Sequence, residues 1–197
     1  MVLLKMIYMK KLLSTSILAL FIATTFLATS CQRSVQSPPA TQITLVNPGF
    51  ETRLTGWTVE TTYTGRYGFS SDTGARRTGD YGLNFYAAQP GHFNGAPQET
   101  PWNGKIYQTV TGLADGNYTF KAYADVVGTG MYLWANGGPS TQDVKVAIKS
   151  VNNELNTLDF VVKGGTAKIG FICIDATGDQ TILAPYFHAD DVEFWTK

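Results

Sequence analysis

An all-β fold, a β-sandwich of the jelly-roll kind, is predicted by three features of the chain. No stretch after residue 41 keeps a helical hydrophobic period. Short alternating or apolar segments recur every 8 to 15 residues, separated by Gly, Asn, Asp and Pro. Aromatic residues make up 13% of the 197 residues and charged residues only 15%, which suits a sandwich with aromatics to spare for its surface.

In chain order, strands are expected near 42–46, 56–63, 66–71, 82–88, 105–111, 117–127, 130–136, 143–150, 156–163, 167–175 and 185–196. Asp115-Gly116 is a two-residue hairpin signal, and Gly164-Gly165 marks another turn. Alternation assigns the faces, because successive side chains of a strand point to opposite sides. Tyr118, Phe120, Ala122, Ala124 and Val126 read as core, which turns Lys121, Tyr123 and Asp125 outward. Val144, Val146 and Ile148 read as core, with Lys145 and Lys149 outside. If Met131 and Leu133 face inward, Tyr132 and Trp134 face out. In the last strand Val192 and Phe194 read as core, and the same parity carries His188 and Asp190 inward. Cys173 lies in the apolar run 169–174 and reads as a small core hydrophobe. No cysteine–histidine cluster has zinc spacing.

An inward Asp190 needs compensation, since a carboxylate buried without a partner or a cation is costly. The first and last strands of a jelly roll end near each other, so Glu51 could supply a second carboxylate. Two carboxylates with backbone carbonyls suit calcium. The alternative is a hydrogen-bonded carboxylate that caps a turn without metal.

Residues 1–30 read as a secretory signal: Met9-Lys10-Lys11, an apolar stretch from Leu12 to Ala28, then small residues, with a retained membrane anchor as the alternative because that stretch is near the lower limit for spanning a bilayer. Leu27-Ala28-Thr29-Ser30-Cys31 resembles a bacterial lipobox. That resemblance implies cleavage before Cys31 and lipid on its sulfur and new amino group, holding the protein to a membrane at a bacterial cell envelope, the outer membrane being expected. Residues 31–41 are polar with two prolines and read as a tether, leaving 42–197 as one folded domain. From Cys31 onward the chain loses Lys5, Lys10 and Lys11, so 15 basic residues become 12 against 15 acidic ones. That balance argues against a nucleic-acid partner, which needs a basic surface.

Three motifs carry a further resemblance. They are Asn47-Pro48-Gly49-Phe50-Glu51 with Gly56-Trp57, the run from Ile106 to Phe120, and Ala189-Asp190-Asp191-Val192-Glu193-Phe194. Together they resemble carbohydrate-binding modules with the galactose-binding-like jelly roll, similar to the ancillary domain of bacterial arabinogalactan endo-β-1,4-galactanases. The resemblance spans residues 43–196. It implies a structural calcium ion on Glu51 and Asp190, with Asp191 a further candidate, and an inward-packed Trp57. It also implies a polysaccharide or oligosaccharide ligand, a β-galactan being the nearest by analogy, and glycan-degrading or uptake proteins as neighbours.

Sugar sites stack aromatic faces on pyranose rings and orient the hydroxyls with nearby polar groups. Trp134 and Trp102 are the first candidate platforms, followed by Tyr123, Tyr86 and Phe93; Asn84, Lys121 and Asp125 are candidate polar partners. Trp102, Phe93 and His92 fall in a long loop from Ala87 to Gly104, a length usually tied to function. No motif pairs two carboxylates across a cleft as glycosidases need, and neither a nucleophile elbow nor a phosphate-binding glycine loop is present. The expectation is therefore a non-catalytic, lipid-anchored glycan-binding protein. The alternative is an envelope-anchored interaction or structural module with no sugar ligand.

Overall fold

The alternating segments form eleven strands, and no helix occurs among the described residues. They are β1 Gln42–Ile43, β2 Thr58–Thr61, β3 Gly68–Asp72, β4 Gly82–Tyr86, β5 Trp102–Thr111, β6 Gly116–Val127, β7 Thr129–Asn136, β8 Val144–Ala147, β9 Glu154–Val162, β10 Thr166–Thr177 and β11 Tyr186–Thr196. The structure is a computed structural model and describes residues 38–61, 68–86, 102–149, 152–177 and 186–197. The chain divides into two units, Met1–Pro38 and Pro39–Lys197, and the strands named above belong to the second. Cys31, His92 and Phe93 lie outside the described residues.

Two antiparallel sheets face each other. One runs β3-β4-β11-β6-β9, with β1 on the C-terminal half of β11; the other runs β2-β5-β10-β7-β8. Between them sit Phe85, Phe120, Phe187 and Phe194 from the first sheet and Ile106, Leu133, Ile169 and Phe171 from the second, all fully buried. This is the sandwich expected from the alternation. Cys173 is buried in the same core, and burial pushes its thiol pKa up. Trp57 packs inside, stacked on Phe50 at 4.9 Å between centroids.

One burial and one set of face assignments differ from expectation. Val146 lies opposite core residue Leu133, so its parity is inward, yet it is 37% exposed because β8 is the edge of its sheet. The larger change is in β11. Its pairing with β6 goes from Asp190↔Tyr123 to Glu193↔Lys121, one residue longer on β11, with Asp191 at φ 48°. Such a bulge reverses the parity of everything before it. Phe187 and Ala189 therefore face the core along with Val192 and Phe194, and His188 points outward rather than inward. Asp190 is 0% exposed but lies opposite outward-facing Tyr123, beneath the turn at 75–80 rather than in the core.

The Asn47–Trp57 segment folds into consecutive tight turns tied by one side chain. Asn47 Oδ1 accepts from Thr52 N (3.0 Å), and its Nδ2 donates to the carbonyls of Arg53 (2.7 Å) and Thr55 (3.2 Å). Gly56 is needed here: its φ is +84°, and a Cβ would fall 2.5 Å from Val46 Cγ1. Val192 N donates to Pro48 O at 3.1 Å, so the first and last motifs of the domain meet, as the jelly-roll reading requires.

Candidate functional site

Strand β7 directs Met131, Leu133 and Ala135 into the core, so Tyr132, Trp134 and Asn136 lie on the outer face of the β2-β5-β10-β7-β8 sheet. Lys105 and Tyr107 of β5 alternate with core residue Ile106 and share that face. Between them runs β10, whose Gly170 is opposite both Tyr107 and Trp134. A Cβ on Gly170 would lie 2.0 Å from Ile106 O. Without one, the rings of Tyr107 and Trp134 meet across the strand, edge to face at 5.9 Å. Neither ring belongs to the core cluster between the sheets.

Lysines stand over these aromatics. Lys105 Nζ is 5.1 Å from the Trp134 ring and 5.6 Å from Tyr107, Lys168 Nζ is 4.8 Å from Tyr107, and Lys145 Nζ is 4.6 Å from Tyr132. Trp134 is accordingly only 3% exposed, and its Nε1 is a buried donor with no hydrogen-bond partner among the described residues. Glu60 on β2 accepts from the Tyr107 hydroxyl (2.5 Å) and pairs with Lys105 (3.0 Å). The Tyr107 hydroxyl first, and Lys105 second, hold the Glu60 carboxyl below its ordinary pKa, while the same bond raises that of Tyr107.

Two open cavities adjoin Lys105. The larger, about 490 Å³, is bounded by Lys105, Trp134, Asn136, Asp143 and Lys168. The other, about 350 Å³, is bounded by Glu60, Asn103, Lys105, Ile172 and Ile174. The two lie on either side of Lys105 on the same sheet, lined by Trp134, amide groups and charges of both signs. Their volumes and mixed lining suit a small polar ligand or a segment of polymer.

The sequence-predicted residues do not all converge. Trp134 lines the larger cavity, but it is covered by lysine rather than open. Trp102 does not reach solvent: it is 4% exposed, its ring 4.4 Å from Phe85 and 5.3 Å from Phe69 in the core. Lys121, Tyr123, Asp125 and Asn84 lie on the outer face of the opposite sheet, and Tyr86 belongs to a strand of that sheet. The core separates that set from Trp134, so the two cannot touch one ligand in one site. Tyr123 is stacked under the Arg77 guanidinium at 3.6 Å. Asn84 donates to Asp72, and Asp125 is 3.3 Å from His188. Among the residues of this face, Tyr107, Lys105 and Lys168 carry no signal of their own in the sequence, and Lys145 is marked there only as outward-facing. The alternation around Ile106 turns Tyr107 outward, but only the β5–β10–β7 register brings it to Trp134.

Glu51, Asp190 and Asp191 do gather at one corner. Asp190 Oδ1, Glu51 Cγ and Asp191 Oδ1 lie 3.6, 3.9 and 4.0 Å from where Gly49 would carry a Cβ. Asp190 Oδ2 accepts from Arg77 N (2.7 Å) and Thr78 N (3.0 Å), and its Oδ1 from Asp191 N (2.8 Å). Burial nevertheless raises its pKa. Asp191 pairs with Arg77 (2.6 Å) and accepts from the Thr78 hydroxyl (2.7 Å), and Glu51 accepts from Asp80 N (2.9 Å). Carboxylate oxygen is the right donor type for calcium. These oxygens already have protein donors, and no three acid, histidine or cysteine side chains among the described residues form a metal-holding group.

The sequence matches no protein-family profile and no curated protein. Solved structures do resemble the fold. A family 61 carbohydrate-binding module in complex with β-1,4-galactotriose aligns over 78% of this chain and 97% of its own, at 19% identity and TM-score 0.55. A family 16 carbohydrate-binding module aligns over 76% of this chain and 97% of its own, at 14% identity and TM-score 0.51. The enzymatically active domain of bacteriophage CBA120 tailspike protein 4 aligns over 76% of this chain but 21% of its own, at 14% identity and TM-score 0.52. At these identities the likeness is one of fold, shared by binding modules and by part of an enzyme.

Proposed function

We propose that this protein is a non-catalytic carbohydrate-binding module that holds a polysaccharide or oligosaccharide on the sheet face carrying Trp134. The observation that carries the reading is the gathering of Tyr107, Trp134 and Tyr132 on one sheet face next to two cavities. Carbohydrate-binding modules of the same fold support it, and β-1,4-galactan is the reference ligand because one of them holds its trisaccharide. The test is affinity electrophoresis of the full chain on a panel of glycans. Binding that is lost in Trp134→Ala supports the reading; full affinity in that variant counts against this face.

Lipid on Cys31 would hold the module to a bacterial cell envelope, on the outer membrane, close to glycan-degrading or uptake proteins. Incorporation of a labelled fatty acid that disappears in Cys31→Ser tests this anchor. Calcium would act as a structural ion at the Glu51–Asp190–Asp191 corner, joining the domain's two ends and taking no part in chemistry. A melting temperature indifferent to a calcium chelator would remove it.

A further inference from the structure

We propose that the sheet face carrying Trp134 takes an anionic glycan, one carrying carboxylate or sulfate groups, in preference to a neutral one, with Lys145 and Lys168 as the anion-binding side chains; this rests on the sugar-binding reading above. Each aromatic ring of the face has an ammonium within 4.6 to 5.1 Å of its centroid. A pyranose can stack on those rings only if the ammonium groups move aside. Lysine stems are flexible enough to do so. A neutral sugar offers the displaced ammonium only a hydroxyl acceptor in place of the cation–π contact, whereas an anionic sugar offers it a stronger charge-assisted hydrogen bond.

The charges left after internal pairing point the same way. Three lysines, Lys105, Lys145 and Lys168, stand against two carboxylates here: Glu60, which pairs with Lys105 and also feels the charge of Lys168, and Asp143, whose charge is hydrogen-bonded by Asn136 Nδ2 at 2.7 Å but not neutralised. Lys145 and Lys168 have no ion-pair partner among the described residues. From Cys31 onward the chain has 12 basic and 15 acidic residues, so this face is locally positive on an acidic protein. Charge of that sign raises the local concentration of an anionic polymer and selects against cationic ones. Lys168 and Lys105 line the larger cavity together with Trp134, two ammonium groups against the single carboxylate of Asp143.

The experiment measures full-chain affinity for polygalacturonate, the same polymer after carboxyl reduction, chondroitin sulfate before and after desulfation, neutral β-1,4-galactan and a single-stranded oligonucleotide. The proposal expects binding to at least one acidic glycan, weaker by about tenfold once its acid groups are removed and weakened by added salt. Loss on carboxyl reduction assigns carboxylate; loss on desulfation assigns sulfate. Lys168→Met and Lys145→Met, which keep apolar stems, should each cost about fivefold on the acidic polymer and leave the melting temperature unchanged. Equal affinity for acidic and neutral forms, or for β-1,4-galactan, that still needs Trp134 overturns the anion proposal and leaves the sugar site standing. Binding to no glycan by folded protein overturns both, and binding to the oligonucleotide alone replaces glycan with nucleic acid.

Discussion

Replacing Asp190 tests how the ends of the domain are joined. Its carboxylate is 0% exposed and accepts three backbone N–H groups, from Arg77, Thr78 and Asp191. A hydrogen bond to a charged group is worth about 1.5–3 kcal/mol, so three at the low end sum to about 4.5 kcal/mol. In the ionisation balance burial, with the neighbouring Asp191 charge, outweighs these bonds and raises the pKa, so the cost of Asp190→Ala is that of leaving three N–H donors without their acceptor, about 3 kcal/mol at about 1 kcal/mol each. In a domain of this size that lowers the melting temperature by roughly 6–12 °C. Asp190→Asn keeps one acceptor oxygen for Arg77 and Thr78 but turns an NH2 toward Asp191 N, leaving one donor unpaired at a cost of about 1–2 kcal/mol. Thermal unfolding followed by circular dichroism at neutral pH reads both. A loss below about 1 kcal/mol in the alanine variant would refute the hydrogen-bonded clamp. The calcium proposal adds that a chelator lowers the wild-type melting temperature and leaves Asp190→Asn unmoved. The sign with pH follows from the raised value: the folded state binds this proton more readily than the unfolded one. Asp190 therefore adds stability as pH falls toward the ordinary value of 3.8, and loses that contribution as pH rises through its folded value.

Other outcomes are expected on the same reasoning. Trp102→Ala should cost about 3–5 kcal/mol of stability, because its ring is core, whereas Trp102→Phe should retain glycan binding in the affinity gel. Gly170→Ala should destabilise by about 1–3 kcal/mol in urea unfolding, since its Cβ would meet Ile106 O and push β5 from β10. Asp159, held below its ordinary pKa by Lys197 and then by the Thr119 hydroxyl, contributes stability above 3.8 that is lost as pH falls through its folded value. Asp159→Asn should flatten that acid limb of the stability curve.

Strand positions and most of the core were legible in the sequence because period-two alternation is a local property, readable without knowing any neighbour. Tyr118 through Val126 and Met131 through Ala135 point where alternation sends them. The meeting of Pro48 with Val192 was legible too, since end-to-end closure is a property of the jelly roll. Alternation fails where an extra residue enters. One bulge at Asp191 turned His188 outward and lifted Asp190 out of the core, and that bulge exists only because of how β11 pairs with β6. Which aromatics share a face was likewise undecided. Tyr123 and Trp134 both read as outward, but the side of the sandwich on which an outward residue lies depends on which sheet its strand joins. The aromatic cluster itself comes from register: Gly170 falls between Tyr107 and Trp134, and residues more than twenty positions apart in the chain become neighbours. Pairing between distant strands is set by the packing of two whole sheets, so the chain alone determined which residues face out, and the tertiary structure decided which of them face out together.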